Sequence, residues 1–236
     1  MFAVYKREYK AYMSNVYGWL FMAVVLLFFG FMMFLENLVG GAPYIEYAIL
    51  SCEYVLILMI PVLCMRSMAE DRRNKTDMFY LSLPMKTSAV VLGKYFALLT
   101  VYAIPCGVIA VYPVILRMFG NVNLLGGYSC LLYFFLLGAA LIAVCQFLSA
   151  LTDNLVVAAV LGILGLLVLY VLPILGYLLD GVPVLSDLLV FLSPFVHFQD
   201  AGNYGLFSIP SVILLLSYPV FFVFLTVQAA DRKRWA

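Results

Sequence analysis

Charge is scarce in this chain. Asp, Glu, Lys and Arg make up 11% of its 236 residues, against ~25% in an ordinary soluble domain. A water-facing surface needs more than that, so a soluble globule is excluded. Histidine is rarer still: His197 stands alone, which removes the H-E-x-x-H and His-cluster patterns of metal enzymes. Cys52, Cys64, Cys106, Cys130 and Cys145 form no CxxC and lie in apolar stretches. They read as small buried thiols, and no metal site is expected. A phosphate-cradling G-x-x-x-x-G-K-[ST] loop is also missing, because Gly93-Lys94 is followed by Tyr95 and lacks the upstream glycine.

What the chain has instead is apolar surface. Its residues are 67% apolar with a mean hydropathy of +1.11, which excludes disorder as well. The expected fold class is all-α: a polytopic membrane protein forming a single transmembrane domain over 1–236. Windows at about 17–35, 47–65, 89–116, 127–150, 155–179 and 211–230 qualify as six spans. The third is long and contains Pro105 and Pro113, which predicts a kink; Pro61, Pro173 and Pro219 fall inside others. A soluble catalytic domain has no room beside six spans.

The placement of charge gives a direction. Lys6, Arg7 and Lys10 precede the first span; Arg66, Arg72, Arg73, Lys75, Lys86 and Lys94 lie in or beside the connection between the second and third; Arg232, Lys233 and Arg234 follow the sixth. Arg117 is the lone cation on the other side, where Glu36, Glu46, Asp180, Asp187 and Asp200 lie. Such a bias predicts both termini in the cytoplasm, which requires an even number of spans. The apolar run after the N-terminal cations is ~19 residues, too long for the ~7–15 of a secretory signal, so a retained anchor helix is expected.

Between the spans, four segments carry patterns. Residues 2–16 place Phe2, Tyr5, Tyr9, Tyr12, Met13 and Val16 at helical spacing, with cations mostly off that stripe. This predicts an amphipathic interfacial helix against membrane lipid. Residues 67–86 pair a dense mixed-sign cluster, Glu70-Asp71-Arg72-Arg73, with a short apolar helix. Thr76 suits its N-cap, Asp77 its positive end and Pro84 its stop, while Met78, Phe79, Leu81 and Leu83 offer a contact surface for a soluble partner. Residues 181–209 are apolar but broken by Pro183, Pro194 and Gly202, which predicts short outer re-entrant or interfacial helices with His197 as a hydrogen-bonded anchor. Glu53 is the one acid expected inside a span, with an inter-helix or substrate-path role.

The run Ile60 to Arg73, then Lys75-Thr76-Asp77, Leu81-Ser82-Leu83-Pro84 and Val91-Leu92-Gly93-Lys94-Tyr95-Phe96-Ala97, resembles the permease subunits of bacterial ABC-2 type transporters, in the branch that includes gliding-motility and NosY-like permeases. The opening Arg7-Glu8-Tyr9-Lys10-Ala11-Tyr12, the turn Leu148-Ser149-Ala150-Leu151-Thr152-Asp153-Asn154 and the stretch Leu192-Ser193-Pro194-Phe195-Val196-His197-Phe198 resemble the same family. Met78 and Leu155 depart from its usual Glu or Gln.

The resemblance implies a permease that pairs with a second copy or paralogue and with separate ABC ATPase subunits in a bacterial cytoplasmic membrane. Thr76, Phe79, Leu81 and Pro84 would belong to the coupling helix seated on the ATPase, and Glu70, Asp71, Arg72 and Arg73 to a charged network beside it. ATP and Mg would sit on the partner, leaving this chain without a cofactor and without enzymatic activity of its own. Export of a peptide, a lipid-like or another amphipathic compound is the leading expectation. The alternative is an immunity or scaffold protein that sequesters a peptide without moving it. Nucleic acid is not an expected partner, and an intramembrane protease lacks its residues.

Overall fold

Hydrocarbon offers no partner to a peptide group, so a chain this apolar satisfies its backbone internally by forming helices. The computed structural model describes residues 1–41, 44–73, 87–118, 123–178, 183–204 and 207–232, and among these there is no strand. The helices are α1 (Phe2–Ser14), α2 (Val16–Met33), α3 (Ile45–Ser51), α4 (Glu53–Arg73), α5 (Thr87–Ile109), α6 (Tyr112–Arg117), α7 (Leu124–Ser149), α8 (Leu155–Leu178), α9 (Pro183–Leu192), α10 (Pro194–Tyr204) and α11 (Ile209–Arg232). A π-helical turn, Phe34–Val39, prolongs α2. The protein is an all-α polytopic membrane protein.

Five segments are long and apolar enough to cross a membrane: Val16–Asn37, Thr87–Arg117, Leu124–Ser149, Leu155–Leu178 and Ile209–Arg232. α3 and α4 pass the same test only when taken together, as a bent pair that makes a sixth crossing if it is one broken span. The window expected at 47–65 bends by 43° between Ser51 and Glu53. There the Cys52 amide bonds back to the Ile49 carbonyl at 3.1 Å, a tighter i−3 closure than the i−4 bond of an α-helix. The third span breaks too. Pro113 has no N–H to offer the Ile109 carbonyl, and it sits in the first turn of α6, just past the turn at Ala110 and Val111.

α7 is the centre of the bundle. In its most apolar window 67% of residues are buried, against 17% in α8, so α7 is sheathed by protein while α8 faces outward. Around α7 pack α4, α5, α8 and α11. Tyr102 of α5 lies against Gly138 of α7 and donates its hydroxyl to the Phe134 carbonyl at 2.7 Å. Gly138 is required there because a Cβ would enter the Tyr102 ring.

α1, the ends of α4, α7 and α11 and the start of α5 lie at one end of the bundle, here the terminal end. α3, α6, α9 and α10 cap the far end. α9 and α10, of 10 and 11 residues, are too short to span ~30 Å of hydrocarbon. Hydrogen bonds hold them down. Ser193 donates to the Leu169 carbonyl of α8 at 3.0 Å. His197 donates from Nε2 to the Phe191 carbonyl at 3.0 Å, which leaves Nδ1 to accept from Ser211 of α11, also at 3.0 Å. The lone histidine thus ties three helices together.

Candidate functional site

The polar residues of the terminal end converge where α1, α4 and α5 meet. α1 is amphipathic, but its aromatic stripe is turned toward the bundle rather than offered whole to lipid. Val4 and Tyr12 are buried and Tyr9 and Met13 pack on the core, while Phe2 and Val16 stay exposed. The close seat depends on Gly93 of α5, where a Cβ would stand 3.1 Å from the Val4 side chain and 3.2 Å from the Met1 carbonyl oxygen. Tyr5 and Thr100 hydroxyls add a hydrogen bond at 3.1 Å. Burial raises the Tyr12 phenol well above its usual range, with the neighbouring Cys64 adding to the shift. Tyr12 therefore serves α1 as a neutral, packed ring.

Beside Gly93 stands Lys94, 2% exposed. A buried ammonium is costly unless paired and fully hydrogen-bonded. Its Nζ pairs with Asp71 of α4, donates to the Ser67 carbonyl of the same helix, and lies 3.8 Å from Glu8 Oε1 of α1. One cation thereby joins three helices. Glu8 in turn pairs with Arg7 on the exposed side of α1. One turn back along α4, Arg66 holds Glu70 by two hydrogen bonds of 2.6 Å each. This two-pronged i,i+4 pair is stronger than a single contact. The Arg66 guanidinium also lies 4.8 Å from the centre of the Tyr17 ring of α2, within cation–π range. Glu8, Ala11, Tyr12, Asn15, Arg66 and Glu70 line a small cleft at this junction.

α7 closes the other side of α4. The Ser149 hydroxyl reaches into its backbone, accepting from the amides of Met68 and Ala69 at 3.4 and 3.3 Å and donating to the Met65 carbonyl at 3.3 Å. Gln146 donates to the Val91 carbonyl of α5 at 3.1 Å. The last turns of α4, the early turns of α5 and the end of α7 thus form one polar-pinned unit, from which the chain leaves toward residues 74–86.

The sequence-derived candidates divide accordingly. Glu70 and Asp71 enter the network, each with a cation as partner. Arg73 is exposed. Arg72 lies on α4, and its side chain is outside the described residues, as are Thr76, Phe79, Leu81 and Pro84 entirely. Glu53 is buried at the start of α4, where its Oε1 accepts from Gln199 of α10 at 2.7 Å and its Oε2 has no partner. It thus carries an inter-helix bond at the far end. Sequence reasoning passed over Lys94 as a pairing residue, along with Glu8, Ser149, Gln146 and Gln199. The signal for Lys94 was its position eight residues into an apolar helix, since a charge within a span has a specific partner as a rule.

Among the described residues, no group of three or more His, Cys, Asp or Glu side chains is placed to hold a metal ion. No curated protein matches the chain. The model of one family, described as ABC-2 family transporter protein, matches residues 40–227. That span runs from the far-end turn after α2 through the α4 and α5 side of the charged junction and nearly to the end of α11, while α1 with Glu8 precedes it. By that match over most of its length, the chain belongs to the ABC-2 family of transporter proteins.

Proposed function

We propose that this permease subunit of an ABC transporter is the membrane half of a bacterial exporter, embedded in the cytoplasmic membrane with its terminal end inward. It would act as a pair with a second copy or a paralogue, driven by separate ATPase subunits that bind ATP and Mg. The observation that carries this reading is the buried Lys94 junction. A cation paired across α1, α4 and α5 makes these helices move together, directly beside the 67–86 connection that an ATPase would grip.

The sequence positions of 12 of the chain's 13 cations, in the two tails and in or beside the connection between the second and third spans, support the inward orientation. In this reading α4 is the lever. A push on residues 74–86 tilts its terminal end through Asp71 and Lys94. At its far end the same helix meets the bend at Cys52 and the Glu53–Gln199 bond to α10, so the motion reaches the opposite surface. A nucleotide-driven change requires contacts that differ between the ATP-bound and nucleotide-free states, and the coupling segment with its Thr76, Phe79, Leu81 and Pro84 would supply them. The cargo would be a peptide, a lipid-like or another amphipathic compound.

The test is co-purification of the ATPase with the chain under gentle extraction. Phe79→Asp with Leu81→Asp is expected to abolish it, whereas undiminished assembly overturns the docking role. Substrate protection in cells should also vanish when the ATPase is made catalytically dead. Persistence of protection there would favour sequestration over transport.

A further inference from the structure

Glu46 lies in α3 at the far end, is 8% exposed, and has an Oε2 atom with no hydrogen-bond partner. It lines a cavity of about 190 Å³ with Tyr44, Tyr47, Asn123, Gly126, Gly202 and Asn203. Its other oxygen lies against Gly126, 2.6 Å from where a Cβ would stand. The missing side chain at Gly126 is what leaves room for the carboxylate at that wall. A buried carboxylate oxygen without a donor is disfavoured, so the site suits a group that brings both hydrogen-bond donors and positive charge.

The rest of the wall suits the same ligand. Tyr44 and Tyr47 meet edge to face, with ring centres 5.9 Å apart and planes at 85°, and are each about half exposed. Such rings attract a cation over their faces. Asn123 accepts the Gly126 amide on its side-chain oxygen, which fixes the start of α7 beside the cavity. No Lys or Arg lines the cavity among the described residues. The volume is below the ~300 Å³ at which drug-sized pockets begin, so it takes one end of a molecule rather than the whole.

We propose that the cavity at Glu46 is a binding site for a primary ammonium group, either on a free amine or on a lipid headgroup. A quaternary ammonium would satisfy the charge and the rings but offers Glu46 no N–H. A neutral alcohol offers a donor but no charge. As an account of cargo the inference rests on the permease reading above. Its test uses no ATPase, so a failed cavity and a failed transport cycle are separate results.

The experiment is charge-selective labelling of the full chain in phosphatidylglycerol nanodiscs, with an accessible thiol introduced by Asn203→Cys; the five native cysteines are buried. The cationic aminoethyl methanethiosulfonate should react about tenfold or more faster than the anionic sulfonatoethyl reagent, as expected beside a negative cleft. Adding Glu46→Gln should collapse that preference. n-Butylammonium should protect the thiol, and neither 1-butanol nor tetramethylammonium should match it. Protection by the soluble amine identifies a free ligand. Slow labelling that appears only when phosphatidylethanolamine is added to the discs identifies the headgroup. A preference unaffected by Glu46→Gln, or equal protection by 1-butanol, overturns the proposal. If Glu46→Gln does not fold, the protection series with Glu46 intact decides by itself.

Discussion

Lys94 gives one ammonium group three acceptors on two neighbouring helices, and that is why it can lie in a nearly closed site. Replacing it by the apolar Lys94→Met removes the ammonium contacts of Asp71 and of the Ser67 carbonyl. The expected loss is about 3 kcal/mol, toward the low end for a broken buried pair, because Asp71 keeps one-fifth of its side chain in contact with solvent. Asp71→Asn in the Lys94→Met background should recover part of that loss, since the carboxylate that faced the lost ammonium is then neutral. Thermal unfolding of the unaltered chain, the two single variants Lys94→Met and Asp71→Asn, and the double variant in one detergent measures the coupling. Glu53 offers a smaller case. Gln199→Leu should cost about 1 kcal/mol more than Glu53→Gln, which keeps the inter-helix hydrogen bond, in line with such bonds in membranes. Equal unfolding temperatures for these two variants would mean that the Glu53–Gln199 bond has no net weight. Neither partner was readable from sequence: Lys94 is 23 positions from Asp71 and 86 from Glu8, while Glu53 and Gln199 are separated by 146. Pairing at such separations depends on how helices are rotated and stacked.

At the scale of the element, the long windows of apolar residues were legible because the bilayer demands them, and their breaks were legible only in part. Pro113 announced a discontinuity in the third span, and the turn at Ala110 and Val111 precedes it. The bend at Cys52 had no proline or glycine to mark it. It arises where a tighter hydrogen bond closes α3, the helix in which Glu46 is buried. Read as a loop acid of the outer connection, Glu46 is instead a buried residue of a helix. Helix contacts through small residues also make a prediction. Gly138→Ala places a methyl group in the Tyr102 ring, a ring that is fully buried and hydrogen-bonded to Phe134. Overpacking of this kind costs roughly 1–3 kcal/mol. The double variant Gly138→Ala/Tyr102→Leu should be less destabilised than the sum of its parts, as read from unfolding midpoints. Strict additivity would show that the two helices have room to separate.

For the whole molecule, the central position of α7 and the exposed flank of α8 set which surfaces are protein-facing and which are left for lipid or a second subunit. The terminal end is braced by ions and the far end by hydrogen bonds of short helices. α4 takes part in both, through Asp71 at the terminal end and Glu53 at the far end, and in the proposed cycle it is the helix that carries motion between them. Lys94→Met should leave the ATPase bound yet lower substrate-stimulated ATP hydrolysis about tenfold, within the usual range of coupling between two sites. Loss of binding with coupling intact in the remaining complex would move the role of Lys94 from transmission to docking.

Composition and the order of apolar runs by themselves determined that this chain is helical, lives in a membrane and crosses it repeatedly. The reason is that hydrocarbon leaves a backbone no alternative partner and tolerates few charges. Charge placement along the chain supplied the expected direction, and the stretches around 60–97 supplied the family resemblance that the match over 40–227 bears out. Tertiary structure decided which cation meets which acid, where a span bends without a proline, and that Glu46 faces a cavity. Those outcomes depend on distances of a few ångströms between elements far apart in sequence, set by the packing of all the helices at once.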